Sequence, residues 1–217
     1  MTTLTGPIKP AASGTATSLV IFLHGYGADG NDLIGLADPL STQLPDTEFR
    51  APNAPERCTG NPMGYQWFPI PWIDGSTEEQ AMAGMDHAAD LLNSYLDDVA
   101  KESGIGPENT VIIGFSQGTM MALEVLYRRK AAVAGVVGFS GRLMRPEATG
   151  EFTAKPPVIL IHGDKDDVVP PASLPEAADA MVQAGVETYA HVMEGTAHGI
   201  APDGLAMALQ FIKKVLP

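Results

Sequence analysis

The chain of 217 residues holds one cysteine, Cys58, so it can build neither an internal disulfide framework nor a CxxC-type zinc site. Disulfide bonding therefore gives no argument for export. Basic residues are scarce as well. Thirteen Lys and Arg stand against 26 Asp and Glu, a formal charge of −13. That balance repels phosphate backbones and anionic lipid surfaces, which argues against nucleic-acid binding and polybasic membrane docking. Long apolar runs are missing: Leu19 to Leu23 is far too short to span a bilayer, so no stable membrane insertion is expected. Residues 1–18 carry one lysine and no apolar core, and do not read as a signal peptide. A soluble cytoplasmic protein is the expectation. The 23 glycines and 18 prolines fall short of a disordered composition, and no repeat or low-complexity tract interrupts the chain.

What is present reads as one α/β domain over residues 1–217, with 1–17 as an N-terminal extension. The apolar share is 45%, and a chain of this length buries about 70% of its unfolded surface without staples. Leu19-Val-Ile-Phe-Leu23, closed by His24-Gly25-Tyr26-Gly27, reads as a strand buried on both faces. Asn31 or Asp32 caps a helix expected to run to about Leu40, and a short strand follows near 47–51. Residues 52–76 hold both tryptophans and read as a long loop, a length usually reserved for function or disorder; its aromatics argue against disorder. Met82, Met85, Ala89, Leu92, Leu96 and Val99 recur at helical steps, with capping residues at Thr77, Glu79 and Gln80 and a stop at Gly104. Further strands are expected at 111–115, 134–139, 158–161 and 188–192, and helices at 117–129, 173–184 and 202–215. Such alternation implies a mainly parallel sheet with helices on both faces, and ligands in such sheets sit at the carboxyl ends of the strands.

Gly114-Phe115-Ser116-Gln117-Gly118 stands between an expected strand and an expected helix. A G-x-S-x-G turn in that position projects a serine hydroxyl from the sheet edge, and the following helix start offers N–H groups to a developing oxyanion. A serine nucleophile needs a base, and the base an orienting acid, in the chain order Ser, Asp or Glu, His. Three histidines follow Ser116. His162 ends a strand and reads as holding a turn, and His191 reads as mid-strand. His198, in Gly195-Thr-Ala-His-Gly199 just past a strand end, is the candidate base. Asp164, Asp166 and Asp167 crowd one turn; Asp166 is preferred as the acid and Asp167 is the alternative, the others serving the turn. The backbone N–H of Tyr26 would complete an oxyanion hole with that of Gln117, while His24 reads as a structural hydrogen-bonder. Cys58 stands alone in the loop, and Asp29, Asn31 and Asp32 lack the remaining ligands of a calcium site.

Leu23-His-Gly-Tyr-Gly27, Pro52-Asn-Ala-Pro-Glu56, Gln66-Trp-Phe-Pro69, Gly114-Phe-Ser-Gln-Gly118, His162-Gly-Asp-Lys-Asp166 and Ala197-His-Gly199 occur in the order of one family. The chain resembles the carboxylesterase/phospholipase family of α/β-hydrolases, which includes acyl-protein thioesterases and small bacterial carboxylesterases. The resemblance implies an α/β-hydrolase fold, Ser116, Asp166 and His198 as triad, and Tyr26 and Gln117 as oxyanion donors. It implies hydrolysis of small ester or acyl substrates with no metal and no organic cofactor, and it makes a homodimer an expectation without locating an interface. Position 26 is often leucine in the thioesterase branch, so tyrosine there bears on pocket shape. The stretch from Ser140 to Lys155 is too short for a large helical lid. Trp67, Phe68, Ile70 and Trp72 either wall an acyl groove or simply pack over the sheet. Short- to medium-chain carboxylesterase is the first expectation. Acyl-protein thioesterase or lysophospholipase is the alternative, and a non-catalytic binding module is the reading from another class.

Overall fold

The central strands form where apolar residues run unbroken, and shorter or mixed polar segments add the rest. In chain order they are β1 (Ile8–Lys9), β2 (Ser18–Leu23), β3 (Thr47–Arg50), β4 (Glu56–Arg57), β5 (Tyr65–Gln66), β6 (Thr110–Phe115), β7 (Gly135–Phe139), β8 (Val158–Gly163) and β9 (Thr188–Met193). The computed structural model describes residues 4–126 and 128–217. Seven strands form one sheet in the order β1-β3-β2-β6-β7-β8-β9. All its pairings are parallel except β1 with β3, where Ile8 faces Arg50. Part of the segment expected as an N-terminal extension thus adds an antiparallel edge to the sheet; Met1–Thr3 lie outside the described residues.

The helices are α1 (Gly30–Ile34), α2 (Ala37–Ser41), α3 (Pro71–Asp74), α4 (Glu78–Ser103), α5 (Gln117–Leu126), α6 (Ser173–Gln183) and α7 (Pro202–Val215). Strand alternation divides the core between the two faces of the sheet. Leu19, Ile21 and Leu23 of β2, Ile112 of β6 and Leu160 of β8 pack with α4, α5 and α6. Val20 and Phe22, Val111 and Ile113, and Ile159 and Ile161 pack on the opposite face with α1, α2 and α7.

Two expectations are corrected. The helix from Asn31 or Asp32 to Leu40 is two short helices, and its cap is Asp29, whose carboxylate accepts from the N–H groups of Asn31 (2.8 Å) and Asp32 (3.3 Å). Pro39 is the reason for the break, since it has no N–H to give Gly35 and its ring would strike that carbonyl. The long loop 52–76 is also more ordered than expected: it carries the β4–β5 hairpin and α3. Helix α4 starts and stops as expected, with a Thr77–Gln80 capping box and Gly104 in the left-handed conformation. The helix expected over 117–129 is described to Leu126; Tyr127 lies outside the described residues.

Candidate active site

Strand β6 ends at Phe115 and α5 begins at Gln117, which leaves Ser116 alone in the turn with φ of 54°. A left-handed non-glycine residue costs about 1–3 kcal/mol and persists only where its surroundings impose it. Here the Ser116 N–H donates to Phe139 O (2.9 Å), while Ser116 O accepts from Thr119 N (3.0 Å) and Met120 N (3.2 Å). The flanking glycines serve close approach. A Cβ on Gly114 would lie 2.4 Å from Thr119 N, and one on Gly118 only 1.9 Å from Leu23 O. Ser116 keeps 8% exposure. Among the described residues one further non-glycine residue, Ser140 at the end of β7, shares the left-handed strain (φ 46°), and its N–H donates to Ile161 O at 2.8 Å.

The ends of β8 and β9 bring an acid to an imidazole. His198 Nδ1 lies 2.8 Å from Asp166 Oδ2, a pairing in which the ring nitrogen donates and Nε2 is left as acceptor. Asp166 Oδ1 accepts from the N–H groups of Val169 (2.8 Å) and Val168 (3.0 Å). Burial works against ionisation of Asp166, but the His198 hydrogen bond and the two N–H groups outweigh it and hold the carboxyl below its ordinary value. Of the crowded acids, Asp166 is the one placed on His198. Asp167 is exposed, and Asp164 accepts from Gly195 N (2.6 Å), tying down the loop that carries the histidine. The His198 ring packs on Phe115, the neighbour of Ser116, with centroids 4.9 Å apart. His191 sits apart from this group and pairs with Asp203 (2.9 Å).

On the other side of Ser116 lies the loop after β2. Gln117 occupies the first position of α5 and has no helical carbonyl behind its N–H. Among the described residues, no group accepts from the Tyr26 backbone N–H either. The Tyr26 phenol is pushed up to about 12 by burial and by its hydrogen bond with the buried Cys58 thiol, and it accepts from Gly60 N (3.3 Å). It therefore anchors the 57–64 loop as a neutral hydroxyl. His24 is structural, as expected. Its Nε2 accepts from Ala54 N (2.9 Å), its Nδ1 contacts Gly25 O (2.8 Å), and burial lowers its pKa.

The aromatic segment divides. Trp67 does not belong to a groove: it is fully buried, and its indole N–H donates to His24 O at 2.9 Å. A buried indole N–H needs an acceptor, and this one finds it in the carbonyl of His24, the residue after β2. Phe68, Ile70 and Trp72 do line an apolar cavity of about 30 Å³ together with Met82, Met85 and Met144. The Gln117 side chain, invisible to motif reading, holds that segment in place: Oε1 accepts from Trp67 N (2.9 Å) and Nε2 donates to Phe68 O (2.8 Å). A larger polar cleft of about 630 Å³, bordered by Asp90, Asp97 and Arg129, shares no residue with this site. Among the described residues no helix is long and apolar enough to cross a membrane, and no group of three or more potential ligands stands together as for a metal ion.

A strained serine at a strand–helix turn, with an acid and an imidazole delivered from later strand ends of a mainly parallel sheet, is the organisation of an α/β-hydrolase. The chain belongs to the phospholipase/carboxylesterase family, whose model matches residues 9–216. It is 29% identical to esterase YpfH of Escherichia coli, over 97% of this chain and 86% of that protein. It is 34% identical to acyl-protein thioesterase 1 of Saccharomyces cerevisiae, over 93% of this chain and 94% of the relative. The crystal structure of esterase PE8 superposes with a TM-score of 0.92 at 43% identity, covering 99% of this chain and all of that one. By this membership the protein is a carboxylic ester hydrolase.

Proposed function

We propose that the protein hydrolyses carboxylic esters of short to medium acyl chain through an acyl-enzyme on Ser116. The observation that carries this reading is the pairing of buried Asp166 with half-buried His198, 2.8 Å apart, the imidazole packing on Phe115 next to the left-handed Ser116. Ser116 Oγ attacks the ester carbonyl carbon as His198 Nε2 takes its proton, and Asp166 holds the Nδ1–H tautomer and stabilises the imidazolium. The tetrahedral oxyanion is received by the backbone N–H groups of Tyr26 and Gln117. His198 then returns the proton to the departing alcohol, and a water molecule, deprotonated in the same way, releases the carboxylic acid and restores Ser116.

Substrate length is read from the aromatic segment. The cavity beside Phe68, Ile70 and Trp72 is narrow, and the 140–155 stretch carries a short 3₁₀ segment (Pro146–Glu151) in place of a lid. A lidless face and a narrow apolar cavity walled by the segment that Gln117 holds suit acyl chains of a few carbons. Initial rates on p-nitrophenyl esters from acetate to palmitate, beside Ser116→Ala, test this. The expected result is a maximum at short chains that disappears in the variant, with kcat lower by several orders of magnitude. A maximum at eight carbons or more moves the reading to thioesterase or lysophospholipase. Full activity in Ser116→Ala ends it.

A further inference from the structure

We propose that Asn61, in the connection between β4 and β5, is a positioning residue that orients the Tyr26 backbone N–H for the oxyanion. The inference rests on the reading of that N–H as an oxyanion donor. Asn61 Nδ2 donates to Gly27 O at 2.8 Å. The orientation of its amide is fixed at both ends, because Oδ1 accepts from Met63 N (3.3 Å) and a carbonyl such as Gly27 O can only accept. The hairpin grips the same loop at its base, where Gly27 N donates to Tyr65 O (2.9 Å) and Tyr65 N to Ala28 O (2.8 Å). Gly64 permits the close approach: a Cβ there would stand 2.0 Å from Gly27 O.

Residues 25–28 form a turn, closed by Ala28 N donating to Gly25 O (3.3 Å), with Gly27 at a φ of 77°. In a trans peptide the C=O and the N–H point in opposite directions. The Gly27–Ala28 peptide is therefore held at both ends: Asn61 takes its oxygen, and its N–H reaches Gly25 O. Gly25 O also receives His24 Nδ1 (2.8 Å), and the far end of the Gly25–Tyr26 peptide is the Tyr26 N–H. Two peptide planes thus connect Asn61 to the oxyanion donor. Gly25 lies against the nucleophile, since a Cβ on it would be 3.3 Å from Ser116 Cβ. A small rotation of the turn moves the Tyr26 N–H relative to Ser116 and leaves the Asp166–His198 pair in place. The oxyanion forms only on the way to the tetrahedral adduct, so loss of the Asn61 contact lowers turnover and leaves ester binding unchanged.

The test uses Asn61→Ala and Asn61→Asp, substitutions at an exposed side chain. On p-nitrophenyl acetate, kcat should fall about tenfold in Asn61→Ala, with KM within about twofold of wild type. The loss stays short of the roughly 10²–10³ that removal of an oxyanion donor costs, because His24 still holds Gly25 O. Asn61→Asp should lose more, since it sets a carboxylate oxygen against Gly27 O. A trifluoromethyl ketone gives the second readout. Its carbonyl carbon bonds Ser116 Oγ, the serine proton passes to His198 and the ketone oxygen becomes an oxyanion. Its affinity should drop by the same factor as kcat. Wild-type kcat in both variants overturns the proposal, as does a loss carried by KM with ketone affinity unchanged. A third protein carries hydroxyphenyllactic acid at position 26, which replaces the backbone N–H by an ester oxygen. Adding Asn61→Ala to it should cost nothing further; a second loss of about tenfold means that Asn61 acts elsewhere, and overturns the proposal. If the ester protein itself keeps wild-type kcat and ketone affinity, the oxyanion reading of Tyr26 falls and takes the proposal with it. A weakened ester protein beside unaffected Asn61 variants removes the proposal alone.

Discussion

At Gly163 the space for a side chain is already filled. A Cβ there would stand 2.2 Å from Thr196 O and 2.6 Å from Ala197 O, the two carbonyls just before His198. Gly163→Ala should therefore push the histidine loop off β8 and cost about 1–3 kcal/mol of overpacking. Its kcat should fall at least tenfold, measured on p-nitrophenyl acetate beside a urea unfolding curve. Asp166 adds a pH dependence to stability. Its folded pKa lies below the unfolded one, so the stabilisation is present above the ordinary carboxylate value and is lost as pH falls through the folded value. Asp166→Asn should flatten that acid arm of the urea midpoint against pH while abolishing most activity. The serine, the histidine and the acid cluster were all legible in the sequence because turn chemistry marks strand ends. The choice of Asp166 over Asp167 could only be argued as a preference, since it depends on which neighbour turns inward against the Val168 and Val169 N–H groups. The positions of Trp67 and the Gln117 side chain were not legible at all. Both are fixed by contacts some 40 to 50 residues away in the chain.

Among the elements, α4 shows propensity yielding to packing. Its Gly84 is about 1 kcal/mol worse than alanine in a helix interior, yet a Cβ there would sit 2.8 Å from Pro69 Cδ and 3.5 Å from Phe68 Cβ. The glycine lets the helix lie directly beneath the segment that walls the apolar annex. Gly84→Ala should bring no gain in urea midpoint despite its better propensity. It should also narrow the chain-length profile, lowering rates on hexanoate and octanoate esters relative to acetate. The ends of α4 were readable because Thr77, Gln80 and Gly104 are local signals that complete themselves within one turn. The break between α1 and α2 was missed because apolar spacing continues through it, and only the missing N–H of Pro39 reveals the interruption.

Across the whole molecule, a mainly parallel sheet with helices on both faces could be read from the continuous apolar runs, whereas the order of strands in it and the short strands β1, β4 and β5 could not. Nor could the charged network beside the helices. Glu124 of α5, 2% exposed, meets Arg128 (2.8 Å) and Arg145 (2.9 Å), and Asp86 of α4 contacts the same two arginines. It ties α4, α5 and the 140–155 stretch together through residues no motif records. Glu124→Ala removes the buried partner of both arginines while Asp86 still contacts them, and should cost about 1–3 kcal/mol, read from the urea midpoint. One feature of the sheet also sets how the enzyme fails. Strand β6, which presents Ser116, is flanked by β2 and β7, whereas β9, which leads into the His198 loop, pairs only with β8 and has most of its side chains half-buried or exposed. Partial openings begin at such margins, at free energies below that of global unfolding. On warming, Ser116 is therefore expected to keep its place longer than His198: amide exchange should rise first in β9, and ester turnover should vanish while the centre of the sheet is still protected.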